Sequence, residues 1–266
     1  MNTLEGRLRS ARHQGRKLLA PYVTGGISDD WTRYLAAYQD AGADAVEIGL
    51  PFSDPMLDGG TIQEASDRAL ARGASADRIL AELAEVDLTV PRVVMTYTNL
   101  VVRQGVETFC GKLRDAGVSG LIVPDLPLGE SGELEGAAAA SGVDLVLLAA
   151  PSTSPERLRE IGERSRGFVY AVSLMGTTGE RDQLAESGLA LARALKAVTD
   201  RPVLLGFGVS RPAHAVQACR TGDGVVVASA LMRRVIDGAG PAEVGADVDA
   251  MRTELDRSAD EPTGSP

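Results

Sequence analysis

A recurring unit leaves few folds open to this chain. "AGADAVEIG" at 41–49, "AGVSGLIVPD" at 116–125, "SGVDLVLLA" at 141–149 and "TGDGVVVAS" at 221–229 share one layout: a small residue, a glycine, a short polar or small linker, then a β-branched or leucine-rich run. The glycines suit the left-handed position just past a helix end, and the runs suit strands buried on both faces. Gly42, Gly117, Gly142 and Gly222 are spaced at roughly three, one and three times a single period. The missing members fall at "KLLAPYV" (17–23), "PRVVMTY" (91–97), "RGFVYAV" (166–172) and "RPVLLGF" (201–207), which makes eight strands.

Helical patterns lie between them. Trp31, Tyr34, Leu35 and Tyr38 fall at i, i+3, i+4 and i+7, with Ser28 or Asp29 as the expected N-cap. Val106, Phe109, Cys110 and Leu113 repeat the spacing, which makes Cys110 a small core residue. Ser154 before Pro155, and Ser210 two residues before Pro212, read as further helix starts. Strands alternating with helices pair in parallel through right-handed crossovers. Eight such units in 266 residues match a closed (β/α)8 TIM barrel. The competing arrangement is an open doubly wound sheet, but no G-x-G-x-x-G follows the first strand. The reading is therefore one α/β domain over 1–256 with an extra N-terminal helix, followed by a disordered tail, "RSADEPTGSP", at 257–266.

Composition removes several function classes. The chain is 44% hydrophobic and 24% charged, as ordinary globular proteins are. No apolar run reaches the ~18 residues of a membrane span, and the first ten residues lack a signal-peptide layout, so a cytoplasmic location is expected. Cys110 and Cys219 form neither a disulfide framework nor a C-x-x-C metal spacing. A net charge of −10 argues against nucleic-acid binding, yet leaves room for a small anion met locally by backbone N–H groups.

In a barrel, chemistry gathers in the loops at the carboxyl ends of the strands. "VEIGLPFSDPMLDGG" (46–60) puts Glu47 near the end of the second strand and Asp58 in the loop after it. Taken singly, Glu47 suits an ion pair inside the barrel and Asp58 suits a turn before Gly59 and Gly60. Together they suggest two carboxyls facing one small ligand. Val46, Ile48 and Leu50 leave Glu47 poorly solvated, so its pKa should rise toward the range useful for proton transfer. On the same rim "GTTGE" (176–180), "GFGVS" (206–210) and "ASALM" (228–232) follow strands six, seven and eight, where barrels bind phosphate. His13 and His214 read as surface or structural residues in helices. Neither is near a predicted strand end, so no Ser/His/Asp arrangement is expected.

From Leu18 to Met232 the chain resembles the alpha chain of tryptophan synthase. The resemblance is strongest at "EIGLPFSDPMLDGGTIQ" and is supported by "PYVTGG" (21–26), "MTYTN" (95–99), "PDLP" (124–127), "GFVYAVSLMGTTG" (167–179) and "GFGVS". It implies a lyase that splits indole-3-glycerol phosphate into indole and glyceraldehyde 3-phosphate by a retro-aldol reaction, with no metal and no cofactor in this chain. Glu47 corresponds to the general acid and base. Asp58 corresponds to the group that holds the indole N–H and steadies charge on the ring.

The resemblance extends to other positions. Tyr170 is implied to help place the glutamate, and Tyr22, Met95, Ile122 and Leu148 to line the indole pocket, although each serves equally well as barrel core. Gly179, Phe207, Gly208, Ala228 and Ser229 correspond to the phosphate cradle, and Thr178 to a residue that helps close the site. The implied partner is a pyridoxal-phosphate beta chain, in an alpha2beta2 assembly that passes indole through a tunnel. Pro51, Phe52, Asp54, Pro55, Asn99, Asp125 and Pro127 match the loops that face it. Two alternatives are a stand-alone lyase releasing free indole and a catalytically silent phosphate-binding barrel acting as an activating subunit. The chain departs from the family at Gly60, usually proline, at Ala228, usually glycine, and in "GGIS" (25–28), which lacks the usual acidic residue and proline.

Overall fold

A computed structural model describes residues 3–172, 186–206 and 208–260. Eight parallel strands close on themselves in chain order: β1 Leu18–Thr24, β2 Val46–Gly49, β3 Arg92–Met95, β4 Val118–Ile122, β5 Asp144–Ala149, β6 Val169–Ala171, β7 Val203–Leu205 and β8 Gly224–Val227. β1 pairs with β8 at one side (Leu19 opposite Val225) and with β2 at the other (Tyr22 opposite Glu47). Each expected strand is present, and the barrel, not the open sheet, is the fold.

Twelve α-helices surround it among the described residues. They are α1 Leu4–His13, α2 Thr32–Asp40, α3 Gly60–Ala71, α4 Ala76–Ala84, α5 Thr98–Val102, α6 Val106–Asp115, α7 Gly132–Ala140, α8 Pro155–Arg164, α9 Glu186–Lys196, α10 Pro212–Ala218, α11 Ser229–Ile236 and α12 Pro241–Asp260. None is long and apolar enough to cross a membrane. Outward strand residues such as Val23, Ile48 and Val94 pack with helix residues such as Leu35, Phe109 and Cys110 in one apolar layer. Inward residues, among them Ala20, Val93, Ile122, Phe168 and Leu204, form a second cluster that includes Leu4 and Leu8 of α1. The extra helix thus fills the N-terminal end of the barrel. A Cβ at Gly120 or Gly167 would overlap the Leu4 side chain, so glycine at both positions makes room for it.

Local signals held where backbone geometry is self-contained. Gly42, Gly117 and Gly142 have φ of 82°, 69° and 72°, as glycines just past helix ends should. Ser154 caps α8, its hydroxyl accepting from the Arg157 N–H, with Pro155 at the first helical position.

Four expectations are corrected. Gly222 is not in the left-handed region; it is glycine because a Cβ would strike the Leu205 side chain. α2 starts at Thr32 with Trp31 in the cap position and no side-chain cap, while Ser28 Oγ donates to Asp30 Oδ1 instead (3.0 Å). At α10 the cap position belongs to Arg211, not Ser210. Finally α12 continues to Asp260, beyond the boundary placed at 256, and residues 261–266 lie outside the described residues.

Candidate active site

Residue alternation along the strands decides what faces the barrel axis. On β2 it sends Glu47 and Gly49 inward between Val46 and Ile48, both fully buried against the helices. On β1 it sends Tyr22 and Thr24 inward beside them, through the Tyr22–Glu47 and Thr24–Gly49 register pairs. A Cβ at Gly49 would overlap the Tyr22 hydroxyl, which bonds to Thr24 Oγ1 (3.2 Å). Gly206, just after β7, has the same function for Tyr170, whose ring occupies the space a Cβ would take. That glycine, read from sequence as part of an anion loop, makes room for a tyrosine.

Glu47 is 2% exposed, and its Oε2 finds no hydrogen-bond partner among the described residues. Burial, with the nearby Asp58 charge adding to it, pushes its carboxyl up to about 8. Asp58, half-buried in the loop after β2, accepts a hydrogen bond from the Tyr97 hydroxyl (3.1 Å). Burial raises its carboxyl to about 6, against the lowering effect of that bond. Both carboxylates also raise the phenols of Tyr22 and Tyr170, whose own burial is the larger cause. The four side chains therefore share one electrostatic environment at the carboxyl end of the barrel. Among the described residues no cationic group faces either carboxyl, so neither is half of an ion pair there.

Sequence reasoning missed Tyr97. Its hydroxyl also accepts the Leu57 N–H (3.2 Å), and its ring stacks on Phe52 with centroids 5.1 Å apart. It thereby ties the loop after β3 to the loop that carries Asp58. The signal was present: Tyr97 stands two residues beyond inward-facing Met95, so strand alternation carries it toward the axis.

Met95, Ile122, Leu148 and Tyr170 belong to the cluster inside the barrel, and Tyr22 to the larger apolar cluster. Gly208, exposed, has φ 64°; Ala228 is half-buried in the cap position of α11, and exposed Ser229 opens that helix. Thr178, Gly179 and Phe207 lie outside the described residues. Pro51 is buried, Phe52 and Pro55 are partly so, and Asp54, Asn99 and Pro127 are exposed. Asp125, expected only to face a partner, spends one carboxylate oxygen internally. It accepts from Thr98 N (2.8 Å) and Thr98 Oγ1 (3.0 Å), capping α5 from another loop.

A family profile described as tryptophan synthase alpha chain matches residues 8–259. The chain belongs to that family. The alpha chain of Synechocystis sp. is 43% identical over 243 residues, covering 90% of this chain and 92% of the relative. That of Gloeobacter violaceus is 44% identical over 233 residues, covering 85% and 84%. Among solved structures, tryptophan synthase from Mycobacterium tuberculosis superimposes with a TM-score of 0.86 at 36% identity, covering 95% of this chain and 97% of that one. The alpha chain from Legionella pneumophila gives 0.87 at 30%, covering 97% and 98%. The chain is a lyase, and its reaction is the cleavage of indole-3-glycerol phosphate to indole and glyceraldehyde 3-phosphate.

Proposed function

We propose that Glu47 and Asp58 divide this cleavage between them. Glu47, protonated near neutral pH, gives its proton to the ring carbon that bears the glycerol chain. The ring nitrogen supplies the electron pair and becomes iminium-like, and its N–H bonds more strongly to the Asp58 carboxylate as positive charge grows. The carbon–carbon bond then breaks, its electrons restoring the indole ring. The adjacent hydroxyl becomes the aldehyde as its proton passes to the Glu47 carboxylate, which leaves Glu47 protonated for the next turnover. Pyridoxal phosphate has no part in these steps and belongs to the family's beta chain.

The observation that carries this reading is the pair itself. A buried and a half-buried carboxyl at one strand end are pushed up to different pKa values, about 8 and about 6, and the higher has an oxygen with no partner among the described residues. Tyr22, Met95, Ile122, Leu148 and Tyr170 are proposed as the walls of the indole pocket, and Thr178 as the residue that helps close it. Gly179, Phe207, Gly208, Ala228 and Ser229 are proposed as the phosphate cradle.

The same reading seats a beta chain over Pro51, Phe52, Asp54, Pro55, Asn99, Asp125 and Pro127, in a cytoplasmic alpha2beta2 assembly. Support comes from large apolar side chains open to solvent beside those positions: Met56 is 78% exposed, Leu57 51% and Val102 52%. The test is turnover of indole-3-glycerol phosphate by the isolated chain and again with a beta chain added. Glu47→Gln should abolish cleavage while phosphate-ligand binding stays nearly intact, and Asp58→Asn should cripple the reaction. Wild-type rates in Glu47→Gln would refute its assignment. Equal turnover with and without the beta chain would remove the coupled assembly.

A further inference from the structure

His214, read from sequence as an isolated structural residue, reaches the loop after β7. It is 4% exposed, on the first turn of α10, and among the described residues its ring bonds within Gly208, Ser210 and Arg211. Arg211 Nε donates to His214 Nε2 at 2.8 Å. That nitrogen must hold a lone pair, so the neutral ring carries its proton on Nδ1. Nδ1 stands 3.0 Å from the Gly208 carbonyl oxygen and donates to it. The Ser210 hydroxyl lies 3.3 Å from the same nitrogen, and the Ser210 N–H is at 3.5 Å. A protonated Nδ1 cannot accept from that amide, and the shorter contact to the carbonyl decides the tautomer.

Gly208 is the residue this bond holds, and its φ of 64° is a region most side chains avoid. Fixing its carbonyl fixes the plane of the 208–209 peptide, and the trans geometry aims the following N–H the opposite way, away from the imidazole. Backbone N–H groups in such a loop recognise an anion only if their directions are set in advance. We propose that His214 is a positioning residue for phosphate recognition: the ring anchors Gly208 from behind so that the 208–209 peptide presents its N–H to the substrate's phosphate. The proposal rests on the reading of Gly208 and Ser229 as part of the phosphate cradle.

The experiment compares indole-3-glycerol phosphate with phosphate-free indole-3-glycerol, on the full chain with the beta chain present. His214→Phe keeps a buried ring and removes both nitrogens. It should raise KM for the phosphorylated substrate about tenfold with kcat little changed, and leave kcat/KM for the phosphate-free substrate as in wild type. His214→Gln, whose amide reaches the same carbonyl, should recover most of the loss. Inorganic phosphate should raise Tm less in His214→Phe than in wild type, a readout that needs no turnover. If His214→Phe does not fold, His214→Leu carries the same expectations.

An equal loss on both substrates would mean the ring only supports the fold, and no loss on either would mean it positions nothing; both outcomes overturn the proposal. Ser229→Asp separates this inference from the one beneath it. Placing a negative charge in the cradle should raise KM for the phosphorylated substrate alone. If it does and His214→Phe does not, the His214 proposal fails by itself. If Ser229→Asp affects neither substrate, the cradle reading fails and the His214 proposal fails with it.

Discussion

The roles proposed for Glu47 and Asp58 make the free enzyme's rate depend on pH from two sides. In the proposed division of labour cleavage requires Glu47 protonated and Asp58 ionised, so kcat/KM should follow a bell with limbs near 6 and 8. Tyr97 adds a sharper test. Its hydroxyl holds the Asp58 pKa down, so Tyr97→Phe should move the acidic limb to higher pH and leave the basic limb in place. An unmoved acidic limb would show that Asp58 does not set it.

Stability follows the same titration with a definite sign. Because the folded pKa of Glu47 lies above its ordinary value of 4.5, the folded chain binds more protons than the unfolded one between about 4.5 and about 8. The contribution of Glu47 to stability is greatest below that window, declines across it, and is lost above it. Glu47→Gln should therefore gain on wild type as pH rises through the window, reaching on the order of a few kcal/mol, and urea midpoints at pH 5 and pH 9 measure the gain. A gain that shrinks with rising pH would contradict the buried, proton-holding state of Glu47.

At the scale of elements, α3 shows how one departure from the family acts. Gly60 opens the helix, a Cβ there would meet nothing within 4 Å, and Gly59 before it has φ −71° and ψ 157°, an extended conformation that a following proline favours. Gly60→Pro should stabilise the chain by ~0.5–1 kcal/mol, chiefly by narrowing the unfolded ensemble, and should lower KM by ordering the loop that carries Asp58. A lower Tm would mean that this helix start does not accept a fixed φ.

The elements also show what a sequence discloses. Strands and the left-handed glycines Gly42, Gly117 and Gly142 were legible because they depend on residues close in the chain. The start of α2 was not, because Trp31, 1% exposed, is fixed by burial and by an indole N–H bond to Glu82 far along the chain. Arg92 was illegible for the same reason: it lies buried on β3 and donates to the carbonyls of Leu83, Val86 and Ala116. A lone arginine in an apolar run carries no local hint of those acceptors.

Over the whole molecule, the closed barrel and the juxtaposition of Glu47 with Asp58 could be read from spacing and strand ends. The support behind them could not. Tyr97 and Leu4 act across contacts that only the closed barrel creates, and Leu4 lies in a stretch with no motif at all, while His214 bonds to a loop only three to six residues away whose shape no motif discloses. Leu4→Ala tests how separable the two ends are. Leu4 is fully buried, so the loss should be ~3 kcal/mol in urea denaturation, with kcat unchanged because the proposed site is at the other end. A matching fall in kcat would mean that the ends communicate.

Leu4 and Leu8 fill the floor of the barrel with apolar side chains. The proposed reaction then releases indole toward the opposite rim, beside which the exposed Met56 and Leu57 stand. A protein seated on the rim is thereby placed to collect every indole molecule released.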